Sequence, residues 1–430
     1  MTYQEAVDYI LKIPKFAKKN KPEHTKTFLE LLGRPQDKMK VLHVAGTNGK
    51  GSVCAYFNAM LLSEGKTVGL FTSPHLVKIN ERIAVNGQPV SDERFLEAFC
   101  RTLHQVRTME ADGLPHPTFF EFLFGMALSV FAEEGVEYAV LETGMGGRLD
   151  ATNAVARPLA TVITSIGYDH REYLGDTLEK IAFEKAGIIK ERVPVFYTEG
   201  REETNRVIEE QAKKCHSLCK KIGKDAYEIL GIQEKHIAIS CSNAYYGNTT
   251  WKLHNIGIYQ PENAMLAMET MRFLFADMGH PKRWRQALLQ VNWAGRMEEV
   301  LPGIYVDGAH NVNAIEAFIE SMPQKERTIL VFSAVKDKDY EEMIRLLCQK
   351  MSADLYIVTS LENSRGVAAD RLRETFQKYT QQPVMIKNTA AQAVCYARDH
   401  REGRIAYCVG SLYLAGEIKK WIQEVQDAEL

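Results

Sequence analysis

VLHVAGTNGKGS, Val41 to Ser52, runs an apolar stretch, Val41–Ala45, into Gly46, Gly49, Lys50, Gly51 and Ser52. A strand that passes through glycines into a helix N-terminus offers bare backbone N–H groups to an anion, and a lysine adds charge. Asn48, Gly49, Lys50, Gly51 and Ser52 are therefore expected to hold a nucleotide's phosphates, with the Ser52 hydroxyl placed to meet Mg²⁺. The spacing is not the usual P-loop pattern, because two residues separate Gly46 from Gly49 and a further glycine follows the lysine. The bland alternative is a glycine turn with no ligand, and the strand-to-helix context argues against it.

Outward from this stretch, strand-like runs alternate with amphipathic helical patterns. Strands are expected at Val41–Ala45, Val68–Phe71, Tyr138–Leu141, Ala160–Thr164 and Val193–Tyr197, and a core helix over Thr118–Glu133. A second alternation follows, with strands at Ile304–Val306, Thr328–Phe332, Leu355–Val358 and Ile405–Val409. The fold class is α/β: an N-terminal P-loop-type ATPase domain on a parallel-type central sheet, 1–293, and a smaller Rossmann-like α/β domain, 294–430. The boundary is put at Asn292–Arg296, where Gly295 suits a bend.

The bulk numbers agree. The chain has 430 residues, 45% apolar and 25% charged, enough for two cores and typical of a soluble globular protein. A formal net charge of −2 gives no general pull toward nucleic acid or an anionic membrane. The eight cysteines are scattered, which suits a reducing compartment; Cys215 and Cys219 flank His216, but no second pair follows at zinc spacing. With neither a basic, apolar leader nor a membrane-length run, a cytoplasmic protein with no nucleic-acid or membrane partner is expected.

Four further residues bear on the chemistry. Glu142 ends an apolar strand beside glycines, where a carboxylate reaches phosphates only through a cation such as Mg²⁺. His170 and Asp169 lie beyond another strand end, the edge at which open α/β sheets bind ligands; for His170 alone, a structural histidine competes evenly with a ligand. Lys185 alone reads as a surface lysine, since an ammonium cannot bind a hard cation.

The phosphate loop in the form GTNGKGS resembles that of the Mur ligases and the folylpolyglutamate synthase/dihydrofolate synthase family. The likeness continues through FTSPHLVKINERIAVNG (Phe71–Gly87), PTFFE (Pro117–Glu121), LETGMGGRLDATN (Leu141–Asn153), ITSIGYDHREYLG (Ile163–Gly175) and FEKAGIIK (Phe183–Lys190). It goes on through YQPENAMLA (Tyr259–Ala267), WAGRMEEV (Trp293–Val300), YVDGAHN (Tyr305–Asn311), VFSAVKDKD (Val331–Asp339) and GSLYLAGEI (Gly410–Ile418). Two positions depart: Tyr259 stands where the family commonly has His, and Val312 where Pro is common after DGAHN.

The resemblance implies an ATP-dependent ligase that adds L-glutamate to a reduced folate through an acyl phosphate, with ATP as substrate and two Mg²⁺ ions. Ser52, Ser73 and Glu142 would serve the first ion, and Glu142, His170 and an N6-carboxylated Lys185 the second; Lys50, Glu142, His170 and Lys185 would form the catalytic set. Asn263, Arg296, Asp307 and His310 would join the loop on the nucleotide. Thr118, Phe120, Glu121, Leu149, Asp150 and Ala151 would contact the pterin side. Dihydropteroate is the alternative acceptor, as in dihydrofolate synthase, and a monomer is the family habit. A peptidoglycan-building Mur ligase is a lesser alternative, because such enzymes carry an extra N-terminal domain; so is a non-catalytic P-loop switch, which has no need of the second metal set.

Overall fold

The structure, a computed structural model, describes residues 1–14, 22–233, 235–241, 243–247, 249–322, 327–351 and 353–428. Its contacts group into two units. The first comprises Met1–Ile229, Ile239–Lys252 and Pro261–Val291, and the second Leu230–Ala238, Leu253–Gln260 and Asn292–Leu430. Two short segments within 1–293 thus group with the second unit, an exchange that no break in composition signals.

In the first unit eight strands form one sheet: β1 (Lys40–Ala45), β2 (Val68–Phe71), β3 (Ile83–Val85), β4 (Gln88–Pro89), β5 (Tyr138–Glu142), β6 (Ala160–Ile163), β7 (Val195–Thr198) and β8 (Cys219–Ile222). Their order is β4-β3-β2-β5-β1-β6-β7-β8, with β3 antiparallel to both its neighbours and every other pair parallel. β1 is flanked by β5 and β6, so the chain leaves it toward β2 on one side and later continues to β6, β7 and β8 on the other. Its carboxyl end is therefore a topological switch point, where open α/β sheets leave a crevice for ligands. The glycine loop begins there.

The central strands are largely apolar because both faces are covered: β2, β5 and β6 are buried at every residue, with Glu142 the charged exception at the end of β5. The helix Phe119–Glu133 packs among them and is buried on nearly every side, which is why its sequence is apolar all round. Each buried phenylalanine there, Phe122 and Phe124 among them at 0% exposure, contributes roughly 1.5–3 kcal/mol of burial.

Along the chain come next β9 (Tyr227–Gln233), β10 (His236–Cys241) and β11 (Trp251–His254), a three-stranded sheet in the order β11-β10-β9. The second unit carries β12 (Glu298–Leu301), β13 (Ile304–Val306), β14 (Thr328–Phe332), β15 (Ala353–Thr359), β16 (Val384–Lys387) and β17 (Ile405–Val409). Their order is β12-β13-β17-β14-β15-β16, parallel except for β12. Its core, with Phe318, Phe332, Tyr356, Phe376 and Tyr407, lies between this sheet and its helices.

Strand positions in the sequence reading hold to within a residue or two, the largest shifts being β7, which starts at Val195 rather than Val193, and β15, which starts at Ala353 rather than Leu355. β3, β4, β8 to β12 and β16 lie outside that reading: β4, β8 and β12 lack a continuous apolar run, and β3 and β16 are only three and four residues long. No described helix is long and apolar enough to cross a membrane.

Candidate active site

The helix Lys50–Ser63 starts at Gly49, whose φ of 87° is left-handed. Only glycine adopts that conformation cheaply, and a Cβ here would also meet Asn263 Oδ1 at 2.2 Å. Asn263, 4% exposed, thus seats its amide directly on the loop. At Gly46 a Cβ would fall 1.8 Å from Thr164 Oγ1, so the loop and the residue after β6 share one tight contact.

The Asn48 carbonyl and both the amide and side chain of Thr47 in the loop have named partners. Thr164 Oγ1 donates to the Asn48 carbonyl at 2.6 Å, Ser165 Oγ to the same oxygen at 3.3 Å, and Thr47 N–H to the Ser165 carbonyl at 2.8 Å. Thr47 Oγ1 donates to the Gly167 carbonyl, and Gly167 N–H donates back, each at 3.1 Å. The first-turn N–H groups of a helix have no intrahelical partner, so this loop-to-helix junction suits an anion. Thr47, Thr164 and Ser165 carry this geometry and were missed from sequence; small hydroxyl residues directly after a strand beside a glycine loop are the available signal.

Lys50 Nζ spans the loop, donating to the carbonyls of Gly46 at 3.2 Å and Thr47 at 3.1 Å, and lies 4.0 Å from Glu142 Oε1. Glu142 is 4% exposed at the end of β5, and its Oε2 accepts from Ser73 N–H at 3.0 Å. Lys185, on the helix Leu178–Ala186, is 3% exposed and donates from Nζ to the Gly46 carbonyl at 2.7 Å. The lysine that reads as superficial is therefore buried at the loop. Burial, then the Glu142 charge, push the Cys54 thiol well up, leaving it inert beside these groups. His170 follows β6 with φ 49°, its N–H on Asp169 Oδ1 at 2.8 Å and its ring 30% exposed.

Does this set suit Mg²⁺? Ser52 Oγ is 1% exposed and has no hydrogen-bond partner among the described residues, and a buried hydroxyl left so is costly. A carboxylate, Glu142, and a second serine, Ser73, are linked to each other near it in the same unit. Among the described residues no three His, Cys, Asp or Glu side chains group as a metal cage. The Ser52 and Ser73 hydroxyls and the Glu142 carboxylate are oxygen donors of the kind Mg²⁺ takes, alongside water and phosphate.

Among the residues that the resemblance puts on the pterin, the Phe120 ring is half-buried, 5.3 Å from the Phe71 ring, and fills the space a side chain at Gly144 would need. Thr118 caps the helix Phe119–Glu133, and Glu121 completes a capping box while accepting from Thr25 Oγ1 at 2.8 Å. Asp150 is equally engaged: Oδ2 accepts from the N–H groups of Gly144 and Met145 at 3.0 Å, and Oδ1 from Thr152 N–H and Oγ1 at 3.1 and 2.6 Å. Both carboxylates thus organise backbone. Leu149 is 37% exposed and Ala151 is buried. Behind this loop His43, fully buried, meets Thr152 Oγ1 through Nε2 at 2.8 Å; burial, then the Lys190 charge, lower its pKa to about 3, so it is neutral.

In the second unit Asp307, His310 and Arg296 converge on the loop after β13. Asp307 is 3% exposed, Arg296 Nη1 donates to the Gly295 carbonyl at 2.9 Å, and His310 Nδ1 lies 2.7 Å from the Gly308 carbonyl.

The first unit's fold and its loop define a P-loop-type nucleotide-binding protein. Comparison with known proteins narrows this. The Mur ligase middle domain matches residues 44–271, and the Mur ligase glutamate ligase domain residues 295–412. A dihydrofolate synthase/folylpolyglutamate synthase of Bacillus subtilis is 38% identical over 361 residues, 80% of this chain and 82% of that one. An Arabidopsis thaliana folylpolyglutamate synthase is 36% identical over 298 residues, 67% of this chain, which spans only 52% of that longer protein. The solved structure of an FPGS–AMPPCP–folate complex superposes with a TM-score of 0.82 at 26% identity, covering 98% of this chain and 100% of that one. The chain belongs to the folylpolyglutamate synthase/dihydrofolate synthase family of Mur ligases.

Proposed function

We propose that the chain is a folylpolyglutamate synthase, joining L-glutamate to the glutamyl tail of a reduced folate while ATP becomes ADP and phosphate. The observation that carries this reading is the 38% identity over 361 residues to a relative named for folylpolyglutamate and dihydrofolate synthesis. An ATP-dependent ligase is the reaction class of the family.

A folate carboxylate oxygen would attack the γ-phosphorus of ATP, and the bond to the bridging oxygen would break to release ADP. The amine of glutamate would then attack the acyl phosphate carbon, lose a proton, and expel phosphate as the amide forms. Lys50 and the N–H groups of Gly49, Gly51 and Ser52 are suited to the negative charge on the phosphates, and Asn263 to holding the loop. Ser52, Ser73 and Glu142 would hold one Mg²⁺, and Glu142, His170 and Lys185 a second. Such ions, when bound, neutralise phosphate oxygens. As an ammonium Lys185 cannot ligate, so its part in this reading requires carboxylation to a carbamate, an anionic oxygen donor. Arg296, Asp307 and His310 are assigned to the nucleotide.

For the pterin we assign direct contact to Phe120 and Leu149, and to Thr118, Glu121, Asp150 and Ala151 the shaping of the backbone around it. Dihydropteroate is a second acceptor to be considered, because the Bacillus subtilis relative is named for both activities. The reading takes the chain as a cytoplasmic monomer acting on small molecules, without nucleic-acid or membrane partners; the formal net charge of −2 supports the nucleic-acid part.

Mass-resolved product analysis tests this: purified protein, ATP, Mg²⁺ and L-glutamate, with a reduced folate in one tube and dihydropteroate in the other. Glutamyl extension in the folate tube is expected. Products in both tubes make the enzyme bifunctional, a product from dihydropteroate alone makes it a dihydrofolate synthase, and none in either sinks the folate reading.

A further inference from the structure

Tyr259, where the family commonly has His, lies in the segment Leu253–Gln260 of the second unit. Its hydroxyl donates to Asp307 Oδ2 at 2.6 Å. The same oxygen accepts from Met297 N–H at 2.9 Å, and Oδ1 accepts from Ala309 N–H at 2.8 Å. The Tyr259 ring lies against Gly257, where a Cβ would come within 2.6 Å of it, so only glycine at 257 lets the ring sit this deep.

The carboxylate thereby joins two pieces of backbone. One is the 295–297 stretch, where Met297 has a left-handed φ of 45° and Gly295 accepts from Gly308 N–H at 2.8 Å. The other is the 307–310 loop. Arg296 sits on the first piece and His310 on the second, and both are tied to carbonyls of these same two pieces. Asp307 is thus the shared anchor of the residues assigned to the nucleotide, and the Tyr259 phenol is its side-chain hydrogen-bond donor. Burial raises the Asp307 pKa, while the Arg296 charge, Tyr259 and the N–H groups of Ala309 and Met297 pull it back.

We propose that Tyr259 is a positioning residue for nucleotide binding: its hydroxyl, and not merely its ring, orients Asp307 and through it the Arg296 and His310 backbone. The inference rests on the nucleotide role proposed above for Asp307 and Arg296. A stacking role needs only the ring, and a purely structural role would change melting without changing the affinity of the folded protein.

The test is calorimetric titration of the full-length chain with ADP and Mg²⁺, comparing the natural protein with Y259F and Y259L at about pH 8 and about pH 6, alongside thermal melts. Y259F keeps the ring and removes one hydrogen bond to a charged group; we expect about tenfold weaker ADP binding. The deficit should widen at the lower pH, because Asp307 without its phenol donor takes up a proton at higher pH. Y259L should bind about as weakly as Y259F. Y259F within about twofold of the natural protein, with Y259L weak, would assign the effect to the ring and overturn the proposal. So would a lower melting temperature with unchanged affinity of the folded protein. Failure of the natural protein itself to bind ADP would overturn the nucleotide reading and this inference with it.

Discussion

Replacing Thr164 with valine should weaken ATP binding selectively. Thr164 is 1% exposed, and its Oγ1 donates to the Asn48 carbonyl at 2.6 Å. Valine keeps the shape of the side chain but puts a methyl where the hydroxyl stood. A carbon and an oxygen normally approach to about 3.3–3.6 Å, so the carbonyl must retreat by several tenths of an ångström to roughly 1 Å. The Ser165 hydroxyl at 3.3 Å is too distant to replace the lost bond in full. Losing a neutral hydrogen bond costs about 0.5–1.5 kcal/mol, and leaving a buried carbonyl poorly satisfied adds about 1–3 kcal/mol.

The same motion frees the Asn48 carbonyl to turn toward the anion position, where its partial negative charge opposes phosphate. A loss of about 1.4–2.5 kcal/mol of nucleotide binding corresponds to an ATP KM higher by about 10–70-fold. Initial-rate kinetics with ATP, folate and glutamate varied in turn would read this. KM for folate and glutamate should stay within about twofold, and T164S, which keeps the hydroxyl, should stay within about threefold throughout. An unchanged ATP KM in T164V, or an equal rise in all three KM values, would refute the reasoning.

Two further outcomes follow from the buried groups. Lys185→Met removes the amine while keeping an unbranched chain; turnover should fall by at least about 100-fold with ADP still bound. Removal of dissolved CO₂ should lower the natural protein's activity and added bicarbonate restore it, whereas an active K185M would exclude a role for the carbamate. His43 has its folded-state pKa depressed from 6.5 to about 3 by burial and then Lys190, so its contribution to stability is fully present above the unfolded pKa. That contribution is lost as pH falls from about 6.5 toward 3, because the unfolded chain gains the proton first. His43→Gln should therefore show a smaller drop in melting temperature between about pH 7 and about pH 5 than the natural protein. Equal drops would count against this account.

Much of the architecture is legible in the chain because burial on both faces leaves a plain mark. β1, β5, β6, β14 and β17 are apolar runs ended by turn residues, and the glycine loop after β1 announces its own backbone geometry. β4 and β16 leave a weaker mark, since edge strands gain their hydrogen bonds from a neighbour rather than from their own apolarity, and β3, paired on both sides, is only three residues long. Lys185 shows the same limit in a side chain. On its helix it reads as one more cation, yet it lies 139 positions from the Gly46 carbonyl it reaches, and packing alone buries it there.

Residue type and spacing by themselves determined the α/β class, the glycine loop between β1 and the helix Lys50–Ser63, and, through resemblance, the family. Only the tertiary structure decided that Glu121 and Asp150 spend their oxygens on backbone N–H groups and hydroxyls, and that Thr164 turns the Asn48 carbonyl aside from 116 residues away. It also decided that Tyr259 grips Asp307. The physical reason is one of range: a strand or helix records its burial in its own periodicity, whereas a hydrogen bond is chosen by whichever distant group the packed sheet brings within about 3 Å.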